Sequence, residues 1–242
     1  MDFGAIVSHI HFYFEEAIAM RKLLIFRRAT LCALCAMMFS GAAFGASRQD
    51  MKRLGVFISN FTETGLFNFD IRAENTDDDD GLLHLGMPEN VTELARFGII
   101  HNFINNKSRI KKCRDRNCES GPLVIDKKYV AESVSKYFGL ELDAMDLSVI
   151  DEDSSAVFSY DGRQFHFAAD SFRDPGNDAV YYAEVQDVDS EGRYTAVSGY
   201  VYDSKRTTNE RGTFSAMVIP SKWQGKDSWL IISMSTEWDD DL

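Results

Sequence analysis

The chain has 242 residues, with 26 Lys and Arg against 38 Asp and Glu and a net charge of −12. That field repels phosphate backbones and anionic lipid surfaces, so it argues against a nucleic-acid partner and against a role on a membrane surface. Aromatics at 12% and only four prolines suit a chain that fills one buried core.

Met20–Gly45 opens with Arg21, Lys22, Arg27 and Arg28, continues through an apolar run from Ala29 to Phe39, and ends in the small-residue stretch 40–45. This is the layout of a bacterial secretory signal, and the run is shorter than the roughly 20 residues a spanning helix needs. Ala43-Phe44-Gly45 sets small residues where a signal peptidase reads, so the expectation is cleavage near Gly45 and a periplasmic or secreted chain. The competing reading is an uncleaved N-terminal membrane anchor. Residues 1–19 carry Asp2, Glu15 and Glu16 where a basic region should begin, and they read as a mispredicted extension. Residues 46–242 then form a single domain, and removing 1–45 takes away four basic and three acidic residues, which makes it about one charge more negative.

Met51, Leu54, Ile58 and Phe61 recur at helical steps and predict a helix over about Arg48 to Asn60. Leu94, Phe97, His101 and Ile104 repeat those steps, with Asn90 as the expected cap and Glu93 completing a capping box. A third helix is expected from near Asp126, carrying Val130, Val134 and Tyr137 inward and stopping at Gly139. Between the second and third lie Cys113 and Cys118, the two cysteines that survive removal of the signal. In an oxidising compartment so close a pair reads as a disulfide that shapes its own loop. The spacing is C-x-x-x-x-C rather than the C-x-x-C of redox catalysts, which argues against redox chemistry.

From about residue 155 the period changes to two. Ala156, Phe158 and Tyr160 lead to the hairpin dipeptide Asp161-Gly162, and Phe165 and Phe167 continue beyond it. Strands are expected at Val180–Val188, Tyr194–Tyr202, Thr213–Ile219 and Ser228–Ser235, joined by short polar connectors and therefore antiparallel. Phe214, Ala216 and Val218, with Leu230, Ile232 and Met234, form the expected inner face. The fold class is α+β, with three N-terminal helices packed on a long twisted antiparallel sheet of about five to six strands, a cystatin-like or cone-shaped roll.

Four stretches carry a resemblance: Phe57-Ile58-Ser59-Asn60-Phe61-Thr62-Glu63, the helix from Ala95 to Asn106, Tyr137-Phe138-Gly139, and Trp223-Gln224-Gly225-Lys226-Asp227-Ser228-Trp229. Together they resemble a family of uncharacterised exported bacterial proteins. The resemblance implies export and brings no activity, so it assigns no functional residue.

Asp77-Asp78-Asp79-Asp80-Gly81 offers oxygen ligands but lacks the alternating spacing of an EF-hand loop, and it reads as a solvated loop. Asp151-Glu152-Asp153 and the tail Asp239-Asp240-Asp241 read the same way, so no metal site and no cofactor are expected. His101 reads as a core histidine, whereas His166, opposite Phe165 and Phe167, is expected to be exposed or to line a concave surface. No Gly-x-Ser-x-Gly setting is present, and no catalytic residue is assigned. Tyr194, Tyr200 and Tyr202 share one strand face, and Tyr182 and Glu184 share a face of the preceding strand. If these faces coincide, they and His166 make a ligand-binding surface of apolar rings with polar tips.

The expected function is therefore a non-enzymatic module binding an unknown protein or small ligand, with no nucleic acid and no membrane beyond transit of the signal. Two alternatives stand beside it: a periplasmic hydrolase-type enzyme using a His with a carboxylate, and an envelope structural or interaction protein.

Overall fold

The computed structural model describes residues 47–72, 82–114, 118, 120–153, 156–172, 180–203 and 209–239, all within a unit spanning Gly45–Leu242. Helix α1 (Arg48–Thr62) starts where the Ser47 hydroxyl accepts the Asp50 N–H, which satisfies one orphan donor of the first turn. Helix α2 (Val91–Asn105) follows a 3-10 turn at Pro88–Asn90. Asn90 does not cap it, because its side chain turns back and donates to the His84 carbonyl at 2.9 Å. Helix α3 (Lys127–Phe138) stops at Gly139, whose φ of 69° is the left-handed cap that glycine adopts without strain. A short helix, α4, covers Val149–Glu152.

The fold is α+β, and the described residues form ten strands in two sheets. The small sheet runs in the order β3 (Ile110–Lys112), β4 (Leu123–Asp126), β6 (Gln164–Phe167), β5 (Phe158–Tyr160), all antiparallel. The large sheet runs β2 (Leu83–His84), β1 (Phe69–Asp70), β10 (Lys226–Trp238), β9 (Glu210–Trp223), β8 (Tyr194–Tyr202), β7 (Tyr182–Glu191). It is mixed, since β1 and β2 pair parallel. Thus β1 to β4 are interleaved with the helices instead of following them. Single pairs of residues become strands here because β10, a long ordered template, supplies the ladder for β1.

The meander β7–β10 alternates as its pattern requires, with Val197, Val201, Phe214, Ala216, Val218 and Met234 buried. The expected inner positions Leu230 and Ile232 are only half-buried, and Ile231 is fully buried instead. A register shift between Ile231 and Ser233 inserts one residue and flips the alternation of β10 there.

The core is aromatic. Phe61, fully buried, has its ring centroid 5.4–5.8 Å from those of Phe57, Phe69, Phe97, Tyr137 and Phe138. Each such side chain contributes about 2–3 kcal/mol by burial, and each tilted or edge-on pair adds about 1 kcal/mol. Helix α1 also covers the edge of the large sheet. The Ser59 hydroxyl accepts the Ala183 N–H at 3.0 Å and the Thr62 hydroxyl donates to the Tyr181 carbonyl at 2.8 Å, so the polar backbone of β7 is partnered.

Candidate functional site

A cavity of about 400 Å³ opens between the C-terminal end of α2, the exposed side of α3 and the β9–β10 hairpin. Its walls carry His101, Arg109, Glu132, Ser133, Lys136 and Gln224. The size is that of a small-molecule site, and the lining is polar.

Close packing of α2 on α3 sets the floor. Gly98 lets the helices approach, and Asn102, fully buried, bridges them one turn further on. The two hydrogens of its amide nitrogen are shared among the Gly98 carbonyl (2.8 Å), the Tyr129 carbonyl (3.1 Å) and the Ser133 hydroxyl (2.9 Å). Its oxygen accepts Arg109 Nη1 at 3.1 Å. Arg109, just after α2, is thereby aimed across to α3, where Nη2 meets Glu132 Oε2 at 3.1 Å and the guanidinium lies 4.7 Å from the Tyr129 ring centre.

Lys136 is the second cation. Its ammonium donates to the Tyr137 hydroxyl at 3.0 Å, and that hydroxyl donates to Asn60 Oδ1 at 3.1 Å, linking the cleft to α1. Burial lowers the Lys136 ammonium from its ordinary value, Arg109 lowers it further, and Glu132 opposes the change. Burial, aided by Glu63, raises the Tyr137 phenol, so it stays a neutral donor. Among the described residues no carboxylate forms an ion pair with Lys136.

His101 is 5% exposed, as its helical face predicts, yet it lies in the cleft wall. Its ring stacks on Phe97 (5.8 Å, 7° between planes) and meets Tyr137 edge-on at 4.9 Å. Burial first, then Lys136 and Arg109, lower its pKa from 6.5 to about 4, so at neutral pH it is uncharged. Nδ1 lies 3.3 Å from the Asn105 amide nitrogen; with Nδ1 accepting from that amide, Nε2 carries the hydrogen.

The opposite wall is the tight turn Gln224-Gly225, with φ of 49° and 78° in succession, the two-residue geometry that matches strand twist. Arg53 of α1 holds the hairpin, stacking over Trp229 at 5.2 Å and donating to the Asp227 carbonyl at 3.4 Å. Of the stretches singled out in the sequence, Ala95–Asn106 and Trp223–Trp229 contribute residues to the lining of this cleft.

The tyrosine surface comes together in part. Register sets Tyr182 opposite Tyr202 and Glu184 opposite Tyr200, so these four share one face, and the Tyr200 and Tyr202 rings are 6.4 Å apart. Burial, then Glu184, Glu210 and Tyr200, raise the Tyr202 phenol. Tyr194 sits at the other end of β8 and is buried, its hydroxyl accepting Arg193 Nη2 at 2.6 Å. His166 belongs to the small sheet, apart from the strands that carry the tyrosines, and at 5% exposure it is buried rather than exposed. It is covered by Cys113, with Sγ 3.7 Å from Nδ1, and by Asp161, with Oδ2 2.8 Å from Nε2.

Cys113 and Cys118 are joined in a disulfide. The acidic run at 77–80 lies outside the described residues. Among the described residues, no group of three or more His, Cys, Asp and Glu is placed to hold a metal ion, and no helix is long and apolar enough to cross a membrane. No family model matches the chain, and neither a curated protein nor a solved structure matches it.

Proposed function

We propose that the protein is an exported, non-enzymatic binding module whose polar cleft takes a small anionic ligand. The observation that carries this reading is Lys136, a half-buried ammonium without a paired carboxylate beside Arg109, in a chain that is otherwise strongly acidic. An anion entering the cleft gains a charge-assisted hydrogen bond from a cation already partly stripped of water. Neutral His101 and Gln224 add donors that orient it. Export rests on the Met20–Gly45 segment and places the module in the periplasm or outside the cell. The resemblance to uncharacterised exported bacterial proteins and a cystatin-like or cone-shaped roll belong to the same reading.

The test is a thermal-shift series with citrate, phosphate and sulfate against chloride at matched ionic strength. Ligand at a hundred times Kd stabilises by about 2.7 kcal/mol, and for a chain of this size that raises Tm by roughly 5–11 °C. Lys136→Met should abolish the shift. No shift with any anion, or an equal shift in the variant, overturns the proposal.

A second reading takes the row Tyr182, Glu184, Tyr200 and Tyr202 as a protein-binding face, because its rings are grouped and two of its tyrosines are half-exposed. It predicts loss of partner capture or of self-association in Tyr200→Ala, with the anion response unchanged. The hydrolase-type reading can draw on the His–carboxylate pair His166 with Asp161. The other ring nitrogen of that pair faces a sulfur, not a Ser or Thr hydroxyl, which points to a different chemistry.

A further inference from the structure

The small sheet brings three sequence-distant groups together. Lys111 pairs with Val124 and Val124 with His166, so these three share one face. Cys113 lies two residues beyond Lys111, its N–H donating to the Pro122 carbonyl at 2.8 Å, and therefore points to that same face. This is why Sγ of Cys113 ends 3.7 Å from Nδ1 of a buried histidine. On the far side, Nε2 is 2.8 Å from Asp161 Oδ2, while Asp161 Oδ1 accepts the N–H groups of Arg163 (2.8 Å) and Gln164 (2.7 Å). Partial burial pushes the Asp161 carboxyl up, but the hydrogen bonds from Gln164, His166 and Arg163 outweigh it and hold the group below its ordinary range.

An ionised Asp161 fixes the hydrogen on Nε2, which leaves the Nδ1 lone pair facing Cys113. A disulfide sulfur has no hydrogen to give that lone pair, whereas a thiol has, and a thiolate pairs with the imidazolium outright. The His–Asp pair thus favours the reduced form of Cys113 over the disulfide and favours thiolate over thiol. Lys111, on the same face, adds positive charge near the cysteine, although it is already shared with Asp126 at 3.4 Å.

We propose that Cys113 and Cys118 form a redox-active pair that exchanges electrons with external thiols and disulfides, with Cys113 as the nucleophile and His166, held by Asp161, as its base. In the reduced chain the Cys113 proton passes to His166 Nδ1. The thiolate attacks one sulfur of an external disulfide, forming a mixed disulfide and expelling one thiolate, which takes up the proton. Cys118, after losing its proton to solvent, attacks Cys113 Sγ, closing the internal disulfide and expelling the second thiolate. The external disulfide gains two electrons and two protons, and the dithiol of the chain loses them. External thiols drive the same steps backwards. The site is separate from the cleft between α2 and α3 and does not depend on what binds there.

The test is the pH dependence of iodoacetamide alkylation in the reduced full chain, followed residue by residue by mass spectrometry. Cys113 should react with a midpoint at least one pH unit below the ordinary value of about 8.5, and Cys118 near it. Asp161→Asn, a partly exposed change that leaves the sheet intact, should move the Cys113 midpoint upward and leave Cys118 unmoved. With oxidised glutathione, Cys118→Ser should trap glutathione on Cys113, while the reduced wild-type chain should close its disulfide and release two equivalents of glutathione. A Cys113 midpoint at or above that of Cys118 in the wild-type chain, or an Asp161→Asn profile identical to wild type, overturns the proposal.

Discussion

Replacing Gly98 with Ala puts one methyl group at the crossing of α2 and α3. Helix propensity alone favours the change by about 1 kcal/mol. The added Cβ, however, would sit 2.6 Å from Val130 Cγ1, 3.0 Å from the Val130 carbonyl oxygen and 3.2 Å from Val130 Cα. A rotamer change does not relieve this, because a β-branched side chain in a helix has one strongly preferred χ1 and two of the three atoms are backbone. The helices must separate by several tenths of an ångström. Overpacking of this kind costs about 1–3 kcal/mol, so after the propensity gain we expect a net loss of about 0–2 kcal/mol and a fall in Tm of up to roughly 8 °C. The strain reaches the cleft, since the Asn102 bonds to Ser133 and the Tyr129 carbonyl lie one turn away. Denaturant unfolding of Gly98→Ala, Val130→Ala and the double variant checks the mechanism. The smaller residue at 130 removes the worst contact, so the double variant should be more stable than the sum of the singles by more than 0.5 kcal/mol, about the limit of additivity. A stabilised Gly98→Ala, or strict additivity, refutes the close crossing.

The neutral, buried state of His101 makes stability depend on pH. The unfolded chain takes up a proton as pH falls through 6.5, and the folded chain refuses it until about 4. Stability is therefore full above 6.5 and is lost between 6.5 and 4, by something on the order of 3 kcal/mol. Denaturant curves across that window should flatten in His101→Leu; parallel curves would remove His101 as the cause. Gln224→Asn should stabilise by about 0.5 kcal/mol, because Asn enters the positive-φ region more readily than Gln and completes an Asn-Gly turn. A lower Tm would speak against the two-residue geometry. Gly121→Ala should cost more than about 3 kcal/mol, since φ is +138° and a Cβ there would stand 2.2 Å from the Phe167 carbonyl carbon and oxygen. A wild-type melting curve would mean that the chain does not approach β6 there.

What the sequence made legible was whatever repeats locally. The end of α3 at Gly139 and the antiparallel meander follow from a glycine cap and a period of two, and both hold in the structure. The strands Phe69–Asp70 and Leu83–His84 carry no such pattern, because they exist only through pairing with β10 and with each other. The inner face of β10 was misjudged by one residue for a related reason, since a period-two count has no term for a bulge. Asn90 failed as a cap because Pro88 starts a 3-10 turn ahead of it and the His84 carbonyl competes for its side chain. In the cleft only His101 could be placed beforehand, by its helical face. Arg109, Lys136 and Gln224 lie on three elements, and nothing local marks residues that meet only when those elements pack.

The two buried histidines show why residue type and burial do not by themselves assign a role. Both are 5% exposed, and each has one ring nitrogen engaged by a neighbour from its own element or the adjoining turn. Around His101 the nearby charges are the cations Arg109 and Lys136, and the contacts are aromatic rings, so protonation is opposed and the ring stays a neutral donor. Around His166 the close partners are a carboxylate on one nitrogen and a sulfur on the other, so Nε2 is engaged by Asp161 and Nδ1 faces Cys113. Exchanging the surroundings would exchange the roles. A carboxylate within reach of His101 would oppose the lowering of its pKa by burial and by the two cations.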